Sequence, residues 1–166
     1  MAGTPIVPPH PGSSDPTVSA RMAGLARRDT APEVAIRRLL HAQGLRYRVA
    51  YPVPGLRRRS IDIAFTRRKV AVFVDGCFWH GCPEHGTQPR ANASWWTTKL
   101  AANRARDGDT TARLVDQGWV VIRVWEHEVP GEVSMRIADR LAEGAPLRGV
   151  RARSRPHGSA EPDLQA

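Results

Sequence analysis

The chain has 166 residues, of which 41% are hydrophobic and 25% charged, enough for one globular domain with its own core. Its net charge of +9 favours a polyanionic partner such as nucleic acid, although a soluble protein that uses arginine freely would show the same balance. No apolar run approaches the ~20 residues of a membrane span, and the first residues do not resemble a secretory signal, so we expect a cytoplasmic protein.

Two segments with little apolar periodicity bracket a central region. Residues 1–20 are rich in Pro, Ser and Gly, and residues 147–166 form a basic tail of similar composition. Segments of this kind bury too little apolar surface to fold, so we expect both to be disordered. The folded domain is therefore predicted to cover residues 21–146.

The first predicted element is a helix that begins near residue 30. Thr30-Ala-Pro-Glu33 resembles a capping box, in which Thr30 caps the helix and Glu33 reaches back to the Thr30 amide. Ile36 and Leu40 then give an apolar stripe, and Gly44 is typical of the residue that follows a helix.

Three strands should follow this helix. Residues 45–51 and 60–65 are strand-like and are separated by a turn at Pro54-Gly55. Residues 70–74 are apolar on both faces, which predicts a central buried strand. Residues 75–94 carry Cys, His, Gly and Pro and are expected to form an irregular loop.

A helix over 95–117, another buried strand over 119–125 and a last helix over 131–143 complete the domain. The order is helix, three strands, loop, helix, strand, helix. It predicts an α/β fold built on a mixed central sheet.

Asp62 is an acid in the middle of an otherwise apolar strand. A carboxylate there is a good Mg²⁺ ligand, because a hard cation prefers oxygen. The alternative is an edge-strand acid that faces solvent or pairs with one of the arginines at 57–59.

Cys77, Cys82 and His85 have the spacing C-x4-C-x2-H, which indicates a structural Zn²⁺ site that needs a fourth ligand. His127, just after the last strand, is the best candidate, and His80 is the alternative. If His80 is not a ligand, its near-neutral pKa suits a general base. The remaining possibility is a reduced cysteine pair among surface histidines.

Phe78 and Trp79 are adjacent aromatics in a loop flanked by glycines, and Trp96 begins the long helix. On a basic protein, exposed aromatics favour stacking or insertion into nucleic acid. Alternatively, one of them packs beneath the zinc site.

At this point the residues resemble the very short patch repair (Vsr) mismatch endonucleases. The most specific string is Val72-Phe-Val-Asp-Gly-Cys-Phe-Trp-His80. It lies between an Ile-Asp-Ile strand and a helix that carries Trp96, Lys99, Asn103 and Asp107. The similarity runs in collinear order from about residue 21 to residue 129.

The resemblance implies a restriction-endonuclease-like three-layer core with a structural zinc loop. It also implies recognition of a T:G mismatch in double-stranded DNA and a nick on the 5′ side of the thymine. By position, Asp62 matches the Mg²⁺ carboxylate, His80 the catalytic histidine and Glu33 the N-terminal acid of the active site. The positions implied to face DNA are Phe78, Trp79, Trp96, Lys99 and Asn103.

From these matches we expect Mg²⁺ on Asp62, with Asp75 and the Val74 carbonyl as further ligands. His80 would deprotonate the attacking water, and Asp107 would orient His80. We expect a nucleoid-associated monomer that cooperates with mismatch-repair or repair-polymerase partners.

Three positions depart from the family pattern. Ile61 stands where a proline often precedes the acid, and Asp75 stands where some members carry histidine. The zinc ligands are also permuted, since the family commonly uses Cys, His, Cys and a late Cys. Two rival functions stay open: a related restriction or defence nuclease with another target, and a non-catalytic zinc-stabilised DNA-binding module.

Overall fold

The computed structural model describes residues 5–12, 28–87 and 89–143. The predicted domain boundaries at residues 20/21 and 146/147, and the C-terminal tail, lie outside the described residues. Within the described ranges, no helix combines the length and the apolar composition needed to cross a membrane.

The elements follow the predicted order, with one addition. Helix α1 covers Ala31–Ala42, and a hairpin of β1 and β2 leads into β3. A four-residue helix, α2, stands inside the segment predicted as an irregular loop, and the long helix α3, strand β4 and helix α4 complete the domain. The bounds are β1 Arg48–Val53, β2 Leu56–Phe65, β3 Val70–Asp75, α2 Cys77–His80, α3 Ala93–Asp116, β4 Val120–Trp125 and α4 Pro130–Glu143.

Helix α1 ends as predicted but begins differently. Gly44 follows it with a positive φ of 79°, where a residue without a Cβ is least strained. Thr30 is the N-cap residue, yet its side chain makes no capping hydrogen bond. Glu33 instead accepts hydrogen bonds from the Thr30 hydroxyl and the Asp29 amide, so the predicted capping box is replaced by a bridge one residue earlier.

The sheet is mixed, in the order β1-β2-β3-β4. Strands β1, β2 and β3 are antiparallel neighbours, whereas β3 and β4 run parallel, joined by the crossover through α3. Strand β3 is central and almost entirely buried, as its double-faced apolar run predicts. Strand β4 was predicted to be buried, but only Val124 of it is. The reason is that β4 lies at the edge of the sheet formed by the described residues.

Strand β2 is longer than predicted. It starts at Leu56 rather than Ser60, because the turn at Gly55, with a φ of 79°, sends the chain directly back along β1. Arg59 therefore lies on β2 and reaches across to α3, where its Nη1 is 2.6 Å from an Asp109 carboxylate oxygen and 2.8 Å from the Thr110 hydroxyl. The basic run thus ties the hairpin to α3 and does not pair with Asp62.

Two apolar clusters form the core. One includes Ile36 and Leu40 of α1 and Ile137 of α4, packed with residues of β2, β3 and β4. The other joins Leu114 of α3 and Trp119 to residues of β1, β2 and β3. The carboxyl end of β3 leads directly into α2, so the predicted site residues Asp75, Cys77 and His80 lie at this end of the strand.

The described part of the N-terminal segment, residues 5–12, forms no helix or strand, but it contacts the start of α3. The Trp95 indole donates to the Pro8 carbonyl at 2.9 Å, and the Asn92 amide donates to the Gly12 carbonyl at the same distance. His10 packs edge-on against Trp95. These contacts were not expected of a segment predicted to be disordered.

Candidate active site

Asp62 lies where the β2–β3 ladder stops. The paired residues end at Ile63 and Val72, and beyond them the Val74 amide donates to Asp62 Oδ2 at 2.9 Å. The carboxylate thus replaces a backbone partner and lies between the strands. The pKa of Asp62 is raised to about 6, mainly by burial and also by the charges of Glu33 and Asp75, whereas the Val74 hydrogen bond and Arg123 act in the opposite direction.

Glu33 faces the same place from the first turn of α1. Its side chain is buried, and both of its oxygens are occupied by the Asp29 amide and the Thr30 hydroxyl, at 3.0 and 3.1 Å. Its negative charge acts on Asp62. Two hydrogen bonds therefore fix the Glu33 carboxylate, whose charge raises the pKa of Asp62.

His80 and Asp107 form a dyad between α2 and α3. His80 Nδ1 is 2.6 Å from Asp107 Oδ2. Burial by itself would lower the pKa of His80, but the hydrogen bond to Asp107 and the nearby carboxylate charges outweigh it, so the pKa is raised. At Asp107 burial acts to raise the pKa, but the same hydrogen bond together with the charges of His80, Arg123 and Arg106 outweighs it, so the pKa is lowered. With Nδ1 occupied, Nε2 is the nitrogen left for chemistry.

Arg123 is the member of the site that sequence reasoning missed. Its Nε and Nη2 approach the two oxygens of buried Asp75 at 2.7 and 2.6 Å, and Nη2 is 3.5 Å from Asp107. The available signal was an arginine in the middle of the apolar run of β4. Both Asp75 oxygens thus accept from Arg123, and the role of Asp75 as a Mg²⁺ ligand stays a prediction.

The four predicted zinc ligands, Cys77, Cys82, His85 and His127, converge, with ligand atoms all within 4.8 Å of one another. Cys77 Sγ is 3.1 Å from His127 Nδ1, and Cys82 Sγ is 3.8 Å from it. Ligands of a tetrahedral zinc at ordinary bond lengths lie about 3.3–3.8 Å apart, close to these spacings, and two thiolates with two imidazoles are a donor set that suits the ion.

Local geometry builds this cluster. Gly81 ends α2 with a φ of 69°, and a Cβ there would meet Arg104 Nη1 at 2.6 Å. The chain then turns back, and the Cys82 amide donates to the Cys77 carbonyl at 3.0 Å. Glu126 of the β4 end accepts the Cys77 amide at 2.7 Å. His80 faces Asp107, outside the cluster, and His127 is the fourth member of the Cys/His cluster.

Phe78, Trp79 and Trp96 pack together as half-buried rings, which we call the aromatic cluster. The ring centroids lie 5.0 Å apart for Phe78–Trp79, 5.2 Å for Phe78–Trp96 and 6.0 Å for Trp79–Trp96. Phe78 and Trp79 belong to the same short helix as Cys77 and His80. One short element therefore carries two of the rings, the histidine and the first cysteine of the Cys/His cluster.

The two polar residues predicted to face DNA have different surroundings. Asn103 is 5% exposed, and its amide donates to the Trp79 carbonyl at 2.9 Å while its oxygen accepts from Arg106. It thus supports the backbone of the aromatic cluster, and its contact with DNA stays a prediction. Lys99, one turn earlier, is half-buried.

Comparison with known proteins places this arrangement in a family. A family model described as DNA mismatch endonuclease Vsr matches residues 14–85. The type II nicking enzyme V.NaeI of Lentzea aerocolonigenes is 44% identical over 126 residues, which cover 74% of this chain and 75% of that relative. The chain belongs to the Vsr endonuclease family.

Further members show the same breadth of similarity. The type II nicking enzyme V.XorIIP of Xanthomonas oryzae is 40% identical over 65% of this chain and 78% of its own length. The DNA mismatch endonuclease Vsr of Escherichia coli is 33% identical over 76% of this chain and 82% of its own. The protein is accordingly a DNA endonuclease of the Vsr family, and the rival of a non-catalytic DNA-binding module falls away.

Proposed function

We propose that this Vsr-family endonuclease nicks double-stranded DNA on the 5′ side of the thymine in a T:G mismatch. The single observation that carries the proposal is that His80 of the dyad shares one short helix with Phe78 and Trp79 of the aromatic cluster. A group that opens the duplex and a group that acts on its backbone are thereby held at a fixed separation. The name of the Escherichia coli relative, a DNA mismatch endonuclease, supports a mismatched duplex as the target.

In the proposed reaction His80 removes the proton from the attacking water. Asp107 holds Nδ1 at 2.6 Å, so the ring keeps one orientation and presents Nε2 to the water. Asp107 also stabilises the imidazolium once the proton has been transferred. Glu33, held by its two hydrogen bonds, adds a second negative charge near Asp62.

Asp62 is the proposed Mg²⁺ ligand, with the Val74 carbonyl as a second oxygen donor. The donor chemistry fits, because carboxylate and carbonyl oxygens are what a hard cation prefers. Asp62 is buried and feels the charges of two further carboxylates, Glu33 and Asp75, so a bound divalent cation would stabilise its ionised form. When bound, Mg²⁺ would polarise the phosphate and stabilise the leaving oxygen.

The Cys77–Cys82–His85–His127 cluster is the proposed structural zinc site. Four protein ligands leave no open coordination position, so this ion would hold the loop and take no part in hydrolysis. Its effect on function would be indirect, through the placement of Phe78, Trp79 and His80.

The aromatic cluster is the proposed mismatch wedge. Opening an ordinary base step costs a few kcal/mol, and a wobble pair is less well stacked, so it should open at lower cost. Stacking of bases on aromatic rings returns roughly 1–3 kcal/mol per base. Lys99 and the other basic residues would contribute phosphate contacts that are independent of sequence.

We also assign the domain to the restriction-endonuclease-like three-layer class. Apolar clusters with helices α1 and α4 in one and α3 in the other support helices on both faces of the mixed sheet.

The test compares two duplexes that differ only in the base opposite one thymine. With Mg²⁺ present, the T:G duplex should be nicked much faster than the T:A duplex, and His80→Gln should nick neither. Equal rates on the two duplexes would support the rival nuclease with another target.

A further inference from the structure

Two carboxylates lie next to the same nitrogen of His80. Asp107 Oδ2 is 2.6 Å from Nδ1, and Asp75 Oδ1 is 3.6 Å from it. Ionised carboxylates only accept hydrogen bonds, so each of them competes for the single proton on this nitrogen. The carboxylate that accepts this proton sets the orientation of the imidazole ring.

Arg123 holds the Asp75 carboxylate by two hydrogen bonds. Its guanidinium grips both oxygens of Asp75, at 2.7 and 2.6 Å, in the two-pronged geometry that fixes a carboxylate most firmly. The guanidinium also lies over the Phe73 ring, 5.0 Å from its centroid. Phe73 and Arg123 are direct neighbours on the parallel strands, and Asp75 lies two residues on, so alternation puts all three on one face.

We propose that Arg123 is a positioning residue of the nicking reaction, which keeps Asp75 away from His80 so that Asp107 alone orients the imidazole. In this proposal Asp75 binds the Arg123 guanidinium and is not a ligand of the catalytic Mg²⁺. The inference rests on the role proposed above for His80.

Two alternatives make different predictions. If Arg123 contacts the scissile phosphate itself, its loss cannot be repaired by a change at Asp75. If Arg123 only neutralises buried charge, its loss should lower the yield of folded protein and leave the turnover of the folded fraction unchanged.

The experiment is a double-mutant cycle between Arg123→Met and Asp75→Asn, measured on whichever duplex the parent nicks. Arg123→Met should lower kcat by about 100-fold, the scale of a small misplacement of a catalytic group, with little change in KM. Adding Asp75→Asn removes the competing carboxylate charge and should restore at least about tenfold of that loss. Arg123→Lys should recover activity only in part, because an ammonium cannot bridge both oxygens.

Folding and metal binding are followed separately. Zinc content and melting temperature identify the folded fraction, and removal of both charges in the double variant avoids leaving Asp75 unpaired. Calorimetric titration of zinc-loaded protein with Mg²⁺ should give similar affinities for the parent and Asp75→Asn. A clear loss of Mg²⁺ affinity in Asp75→Asn, or no recovery of kcat in the double variant, would overturn the proposal.

The imidazole nitrogens provide a readout that needs neither DNA nor Mg²⁺. The ¹⁵N shifts of His80, assigned by comparison with His80→Gln among the six histidines, should change in Arg123→Met and return in the double variant. Unchanged shifts in Arg123→Met would contradict the role of Arg123. Because this measurement is independent of the target, it separates failure of this inference from failure of the T:G proposal.

Discussion

Replacing Asp62 by Asn should abolish nicking and at the same time stabilise the protein. The pKa of this carboxyl rises from an ordinary 3.8 to about 6, mainly because of burial. At 1.36 kcal/mol for each pH unit, its ionisation costs the folded state about 3 kcal/mol. Asn keeps an oxygen that can accept the Val74 amide but carries no charge.

The sign of the pH dependence follows from the raised pKa. Below about pH 4 the carboxyl is protonated in both the folded and the unfolded chain, so the two proteins should melt at similar temperatures. Between about pH 4 and pH 6 the unfolded carboxyl ionises more readily than the folded one, and the parent loses stability relative to the variant. Above pH 6 the difference should be constant.

The assay is thermal unfolding at pH 8 without added Mg²⁺ and without chelators, which would remove zinc. Asp62→Asn should melt roughly 6–12 °C above the parent, from about 2–4 °C per kcal/mol in a domain of this size. Mg²⁺ should raise the melting temperature of the parent but not of the variant.

Asp109→Asn is the matched control. The pKa of Asp109 is lowered by hydrogen bonds to Arg59 and Arg113, so its ionised form is favoured in the folded state and the substitution should not stabilise. If Asp62→Asn melts at or below the parent at pH 8, the carboxyl is not desolvated as described and the reasoning fails.

Three other variants probe the zinc loop and the aromatic cluster. Cys77→Ser should lose the zinc measured by metal analysis and lower the melting temperature, since structural sites of this kind contribute on the order of 10 kcal/mol in zinc peptides; full zinc content in the variant would contradict the ligand assignment. Phe78→Ala with Trp79→Ala should keep zinc but lose T:G preference and nicking together, while binding to matched DNA persists; undiminished discrimination between T:G and T:A would show that the rings are core residues. Asn103→Leu should reduce mismatch nicking more than binding to matched DNA, because the Trp79 carbonyl loses its donor; equal losses in the two assays would argue against a specific role.

The features that follow from local pattern were predictable. The apolar run of β3 identified the central strand, because a strand covered on both faces needs no polar alternation. Cys77, Cys82 and His85 are close in sequence and share a chemistry, which is enough to suggest a common metal. The short helix α2 was missed, since four residues between Gly76 and Gly81 show no periodicity.

The features that depend on strand register were not predictable. Arg123 and Asp75 meet only because β3 and β4 run parallel with Phe73 beside Arg123, a register that no local pattern encodes. The supporting role of Asn103 was easier to predict from the sequence than the role of Arg123. Asn103 and Asp107 are four residues apart on α3, so they share the helix face that meets α2.

The most direct test of the central claim is to map the nick at single-nucleotide resolution. Two T:G duplexes, each labelled at the 5′ end of a different strand, are incubated with protein and Mg²⁺, and the products are sized against a ladder. The account predicts one product, from the thymine strand, cut immediately 5′ of the mismatched thymine, and no cut in the guanine strand. Cleavage of both strands, or a cut at the same position in the T:A duplex, would contradict it.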